Sequence, residues 1–134
     1  MESLKLLYEN NLVLTLGKIS GIGIDLVDVN KFRKKPYHSN RSFYQKNFSD
    51  DEIKYCLKFK DPSEHFAGKF AIKESVKKAI STRIPFLAIQ TFHSNSKLIV
   101  IINHNLYKKY FIHASISHEK DLAIGFVVAQ KSSI

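Results

Sequence analysis

The hydrophobic positions fall into short strand-like alternations separated by well-marked helical stretches. The first clear alternation is Ile19 to Val27, reading Ile-Ser-Gly-Ile-Gly-Ile-Asp-Leu-Val. Glycines such as Gly21 and Gly23 weaken a strand, and are kept where a ligand or another backbone approaches closely. Further along, Phe86 to His93 and Lys97 to Asn103 read as a hairpin around Ser94-Asn95-Ser96. Ile112 to Ser117 and Leu122 to Gln130 read as strands flanking a tight turn, His118-Glu119-Lys120-Asp121. Asn105 to Tyr110 reads as a helical turn. Residues 1–18 read as an N-terminal extension in which Leu12 to Leu16 alternates and could be a strand; residues 19–134 form one domain.

Helix signals lie between these runs. Asp28 is placed to cap a short basic helix reaching about Lys35, where Pro36 stops it. Ser49-Asp50-Asp51-Glu52 is a capping box ahead of Ile53 to Leu57. Asp61-Pro62-Ser63-Glu64 supplies an Asp N-cap, Pro at the first helical position and Glu at the third. That helix should run from Pro62 to about Ile80, the longest element in the chain. Helices come first and mostly antiparallel strands follow, so the predicted class is α+β.

The long helix has an informative wheel. Gly68, Ala71, Ser75 and Ala79 share one side, a small-residue stripe suited to close backbone packing. Phe66, Phe70, Ile72, Val76 and Ile80 fill the adjoining arc, so the helix should be largely buried. Lys69, Lys73 and Lys77 form an i, i+4, i+8 row inside that arc, and Glu74 and Lys78 form a second i, i+4 pair. Two readings of the row stay open. The lysines snorkel to water, or they face a polyanion with Glu74 beside them for a cation. In a phosphate site, the carboxylate would hold magnesium and the lysines would neutralise phosphate oxygens. Asp25, in the Gly-rich strand, is the natural second carboxylate.

Charge narrows the partners without naming one. The formal net charge is +9, which favours anions: nucleic acid, anionic membrane, phosphorylated ligands or an acidic protein. Cys56 is the only cysteine, which excludes an intramolecular disulfide and points to a reducing compartment. No apolar run is long enough to span a membrane as a helix. The first residues lack the apolar stretch of a signal peptide, so the expected location is cytoplasmic.

Three motifs then carry a family resemblance. Gly21-Ile22-Gly23-Ile24-Asp25-Leu26-Val27, Phe66-Ala67-Gly68-Lys69-Phe70-Ala71-Ile72-Lys73-Glu74-Ser75 and Ser115-Ile116-Ser117-His118 resemble holo-acyl-carrier-protein synthase, the small type of 4′-phosphopantetheinyl transferase. They occur in the family's order, over roughly Gly21 to Ala129. The resemblance implies an antiparallel sheet packed on a long central helix, in a homotrimer with active sites between subunits. It implies that a serine of an apo acyl carrier protein attacks the β-phosphate of coenzyme A, releasing 3′,5′-ADP.

The same resemblance implies roles for single residues. Asp25 and Glu74 are the magnesium ligands, with Glu74 and Lys78 at the reacting centre. Lys69, Lys73, Ser117 and His118 bind the coenzyme, Lys69 standing where an arginine is usual. The serine proton leaves to Glu74 or to water on the metal, and these alternatives stay open. Lys31, Arg33, Lys34 and Lys35, with Arg41 behind them, dock the acidic carrier. Ser81-Thr82-Arg83-Ile84-Pro85 lacks the family's glycines, so Arg83 is the expected substitute at the nucleotide end. His118 has a plainer reading as a turn residue. The rival functions are a basic nucleic-acid-binding domain, for which no recognised motif is present, and a relative of the fold that has lost catalysis.

Overall fold

A computed structural model of the chain describes residues 19–105, 107 and 110–131. The expected extension at 1–18, with its strand at Leu12 to Leu16, lies outside the described residues, as does part of the expected turn at Asn105 to Tyr110. The elements run β1 (Ile19–Asp28), α1 (Asn30–Arg33), a 3-10 turn (Tyr37–Ser39), α2 (Arg41–Asn47), α3 (Asp50–Leu57) and α4 (Pro62–Ile80). A second 3-10 turn (Phe86–Ala88), β2 (Ile89–Ser94), β3 (Lys97–Ile102), β4 (Tyr110–Glu119) and β5 (Leu122–Lys131) follow. The sheet is antiparallel in the order β1-β5-β4-β3-β2, and the class is α+β as predicted.

Most helix and turn signals act as read, with three local differences. Ser49 and Glu52 close a reciprocal capping box on α3. Asp61 does precede α4, but its carboxylate makes no cap bond and takes Arg33 instead, at 2.8 Å. Asp28 stands one residue too early to cap α1; its Oδ1 accepts the Asn30 N–H at 2.9 Å. The predicted strand start at Phe86 is a 3-10 turn. The β2–β3 turn puts Asn95 and Ser96 at φ 51° and 64°, the left-handed pair that a two-residue hairpin loop favours.

The glycines and the small-residue stripe explain each other. A Cβ at Gly21 would lie 1.8 Å from the Ala79 carbonyl oxygen, and one at Gly23 would lie 1.9 Å from that of Ser75. A Cβ at Gly125 would meet the Ala71 carbonyl carbon at 2.7 Å. Gly68 meets Ile116 and His118 on β4. So α4 crosses the sheet diagonally, its start over β4, its middle over β5 and its end over β1. The close approach that the strand glycines called for is to a helix backbone.

The core divides around α4. One part joins Phe32, Tyr44, Phe48, Ile53, Cys56 and Phe66 among the helices. The other joins Ile72, Val76, Ile80, Ile89, Val100 and Val127 between α4 and the sheet. Among the described residues the sheet's other face is open and apolar: Ile22, Ile24, Leu26, Phe111 and Phe126 are exposed, Ile22 by 64%. No helix among the described residues is long and apolar enough to cross a membrane.

Candidate active site

The row Asp25–Gly125–Ile116 crosses three adjacent strands, because Gly125 pairs with both of the others. At the usual strand spacing, its ends stand about 10 Å apart. The α4 backbone lies directly over its middle residue, Gly125. The helix therefore splits the inner face of the sheet into two flanks, and the candidate residues divide between them.

On the β1 flank, a cavity of about 440 Å³ is lined by Asp25, Lys31, Phe32, Lys35, Phe43, Phe70 and Glu74, with Leu26 and Val27. The long-helix motif delivers Phe70 and Glu74 to it, and the Gly-rich strand delivers Asp25. Lys78 Nζ donates to Asp25 Oδ1 at 3.2 Å and to the Ile24 carbonyl at 2.9 Å. The wheel's Glu74–Lys78 pair is thus replaced by a Lys78–Asp25 pair across to the strand. Among the described residues, no side chain pairs with Glu74. Two carboxylates at one cavity, one of them unpaired, suit a hard cation that takes few protein ligands and leaves room for water and phosphate oxygens.

The docking cluster is mixed. Lys31, Lys34 and Lys35 are exposed, and Lys31 and Lys35 also border this cavity. Lys35 Nζ lies 4.1 Å over the Phe43 ring. Arg33 departs from the expectation of a free docking cation. Its guanidinium is held by Asp61 at 2.8 Å and Asp121 at 2.6 Å, pairs that raise its pKa and tie α1 to the β4–β5 turn.

On the opposite flank, a cavity of about 160 Å³ is lined by Tyr55, His65, Gly68, Lys69, His93, Ile116 and His118. His118 lies in β4 opposite Ala123, not in the turn, and its Nε2 is 3.1 Å from the Glu64 carbonyl. Ser117, its neighbour, is exposed and points to the outer sheet face, since successive strand residues alternate. Lys69 is 1% exposed and donates to Thr91 Oγ1 at 2.8 Å. Burial pushes its ammonium below the ordinary lysine range. Arg83 is exposed after α4 and lines neither cavity.

Lys73 requires a correction. It does not face a phosphate site: it is 0% exposed, and Nζ donates to Glu52 Oε1 at 2.7 Å, Asn47 O at 2.8 Å and Phe86 O at 3.1 Å. Glu52, read from sequence only as a capping residue, is its buried counterion. The signal was half visible in the capping box; the partners lie 21 and 39 positions away in Lys73 and Thr91. The lysine row is therefore neither snorkelling nor an anion-facing stripe, because Lys69 and Lys73 hold buried acceptors and Lys77 Nζ sits 4.5 Å over the Phe86 ring.

Residues 21–127 match the 4′-phosphopantetheinyl transferase superfamily. The holo-[acyl-carrier-protein] synthase of Thermodesulfovibrio yellowstonii is 35% identical over 114 residues, covering 82% of this chain and 97% of that protein. The same enzyme of Clostridium acetobutylicum is 31% identical over 122 residues, covering 84% and 98%. Among solved structures, the Bacillus anthracis holo-(acyl-carrier-protein) synthase in complex with CoA (3′,5′-ADP) aligns with TM-score 0.73 at 30% identity, over 85% of this chain and 98% of that one. The Helicobacter pylori synthase in complex with coenzyme A aligns with TM-score 0.72 at 32% identity, over 81% and 99%.

Proposed function

This chain belongs to the 4′-phosphopantetheinyl transferase superfamily, and on that footing we propose how its residues move phosphopantetheine from coenzyme A to a serine of an apo acyl carrier protein. The observation that carries the reading is the shared cavity of Asp25 and Glu74, delivered by two of the three motifs that carry the family resemblance. Asp25 and Glu74 would hold magnesium, which when bound offsets charge gathering on the phosphates. Lys78 sits against Asp25, where it adds positive charge beside the same phosphates. The serine oxygen forms a bond to the β-phosphorus as the pyrophosphate bond breaks, and 3′,5′-ADP leaves. Glu74 is the carboxylate of the pair without a lysine partner, so it is the acceptor available for the serine proton.

Carrier docking falls to Lys31, Lys34 and Lys35, with Arg41 behind them. They border or adjoin the carboxylate cavity, so an acidic helix held there brings its serine to the reacting centre. Added salt should weaken apparent carrier affinity, and an affinity indifferent to salt would contradict this docking.

The two flanks support an assembly in which one site is shared between copies. Within one chain, α4 stands between the Asp25 cavity and the Lys69–His118 cavity. A second copy would bring its Ser117 and His118 to the nucleotide end of a coenzyme held by Asp25 and Glu74, with the buried Lys69 held by Thr91 behind that wall. The open apolar sheet face is the surface that a homotrimer would cover. Arg83 remains a nucleotide-end candidate on position alone.

Release of 3′,5′-ADP, followed by chromatography, tests the chemistry. It should require coenzyme A, magnesium and apo carrier together. Release without carrier would make the protein a hydrolase, and no release with any acidic carrier would remove the transferase reading.

A further inference from the structure

We propose that Lys73 is a positioning residue for the transfer reaction: its ammonium fixes how α4 is rotated and so where Glu74 stands against Asp25. An ammonium has three donors and no acceptor. All three of Lys73 are taken, by Asn47 O, Glu52 Oε1 and Phe86 O, within 3.1 Å. No donor remains for a phosphate. The acceptors come from three separate places: the last residue of α2, the first turn of α3 and the 3-10 turn before β2. One side chain thus ties α4 to three neighbouring pieces of the helical layer.

The far end of this tie is equally fixed. Glu52 Oε1 also accepts the Ser49 N–H at 2.9 Å. Its Oε2 accepts the Thr91 N–H at 3.1 Å and the Thr91 hydroxyl at 2.5 Å. No polar side-chain atom in the described interior is left without a partner. A buried pair of this kind is often no more stabilising than apolar residues of the same size. What an apolar pair would lack is direction.

Direction matters because Glu74 follows Lys73, about 100° round the helix. Its carboxylate lines the cavity whose wall includes Phe43 of α2, the helix whose last carbonyl Lys73 holds. A slide or rotation of α4 against α2 would move Glu74 relative to that wall and to Asp25 on β1.

The inference rests on the transferase reading, and wild-type transfer is the control that separates the two. The test is the steady-state kinetics of the Glu52→Gln/Lys73→Met double variant, which removes both charges together, so neither member of the pair is left facing a lost counterion. A cooperative thermal transition establishes its fold. Positioning predicts that kcat falls by roughly tenfold to a hundredfold, that half-activation needs more magnesium, and that KM for coenzyme A is unchanged. A raised KM for coenzyme A with wild-type kcat would overturn the proposal in favour of direct phosphate contact. Wild-type values for both would overturn it in favour of a purely structural pair. If the double variant does not fold, Lys73→Arg carries the same reading. Its planar fork cannot match three acceptors gathered round one tetrahedral ammonium. Loss of kcat at constant KM supports the proposal there too, and wild-type kcat or a raised KM overturns it.

Discussion

Lys78 Nζ lies 3.2 Å from Asp25 Oδ1, joining the end of the long helix to the Gly-rich strand 53 positions earlier. The lysine side chain is 54% exposed, so the pair contributes little to stability, within about 1 kcal/mol. In the proposed mechanism its place is functional. Asp25→Asn should leave the thermal midpoint almost unchanged while transfer falls by at least about a hundredfold. Glu74→Gln should do the same. Full activity in either folded variant would remove that residue from the site.

Gly23 lies beneath the Ser75 carbonyl, with 1.9 Å for a Cβ that must not be there. Gly23→Ala forces α4 away from β1 and should cost on the order of 3 kcal/mol. Gly68→Ala meets flexible side-chain atoms at 3.1 and 3.3 Å and should cost less. Urea denaturation of the two variants ranks them, and equal losses would contradict the diagonal packing.

These contacts show what the sequence could carry. The small-residue stripe and the strand glycines were both legible as demands for close approach, and they turned out to be one interface seen from two sides. The two carboxylates were legible on other grounds: Asp25 interrupts an apolar strand, and Glu74 stands among lysines on the long helix. The lysine row was not. Periodicity places Lys69 and Lys73 on a buried arc but says nothing of Thr91 or Glu52, which arrive from other elements. The partners of Arg33 were hidden on the same ground, since Asp61 and Asp121 reach it only in the folded chain. Residues on opposite flanks of one helix, such as Glu74 and His118, also look like one site when written in a line.

If two copies complete each site, two inactive variants should rescue each other. Asp25→Ala carries an intact His118, and His118→Ala carries an intact Asp25. Mixed after unfolding and refolding together, they should form intact sites at about a quarter of the interfaces if subunits combine at random. Transfer by the mixture well above either variant alone is expected. No recovery in refolded mixed oligomers would place the whole site within one chain.

Stability should fall in mild acid through His65 and His93. Burial lowers both imidazoles from 6.5, and Lys69 adds to each shift. Just below that value, the unfolded chain binds protons that the folded protein refuses. The stability is therefore present above the unfolded value and is lost as pH drops through the folded ones. Thermal midpoints at about pH 7.5 and about pH 5.5 should differ less in a His65→Phe/His93→Phe variant than in wild type. Equal differences would show that these histidines do not set the slope.

The transferase assignment itself is tested most directly by the intact mass of an acidic apo carrier protein, measured after incubation with this protein, coenzyme A and magnesium. The expected result is a gain of one phosphopantetheine on a carrier serine, absent when Asp25→Ala or Glu74→Ala replaces the wild type. An unchanged mass for fatty-acid and polyketide apo carriers alike, with the wild-type protein folded, would contradict it.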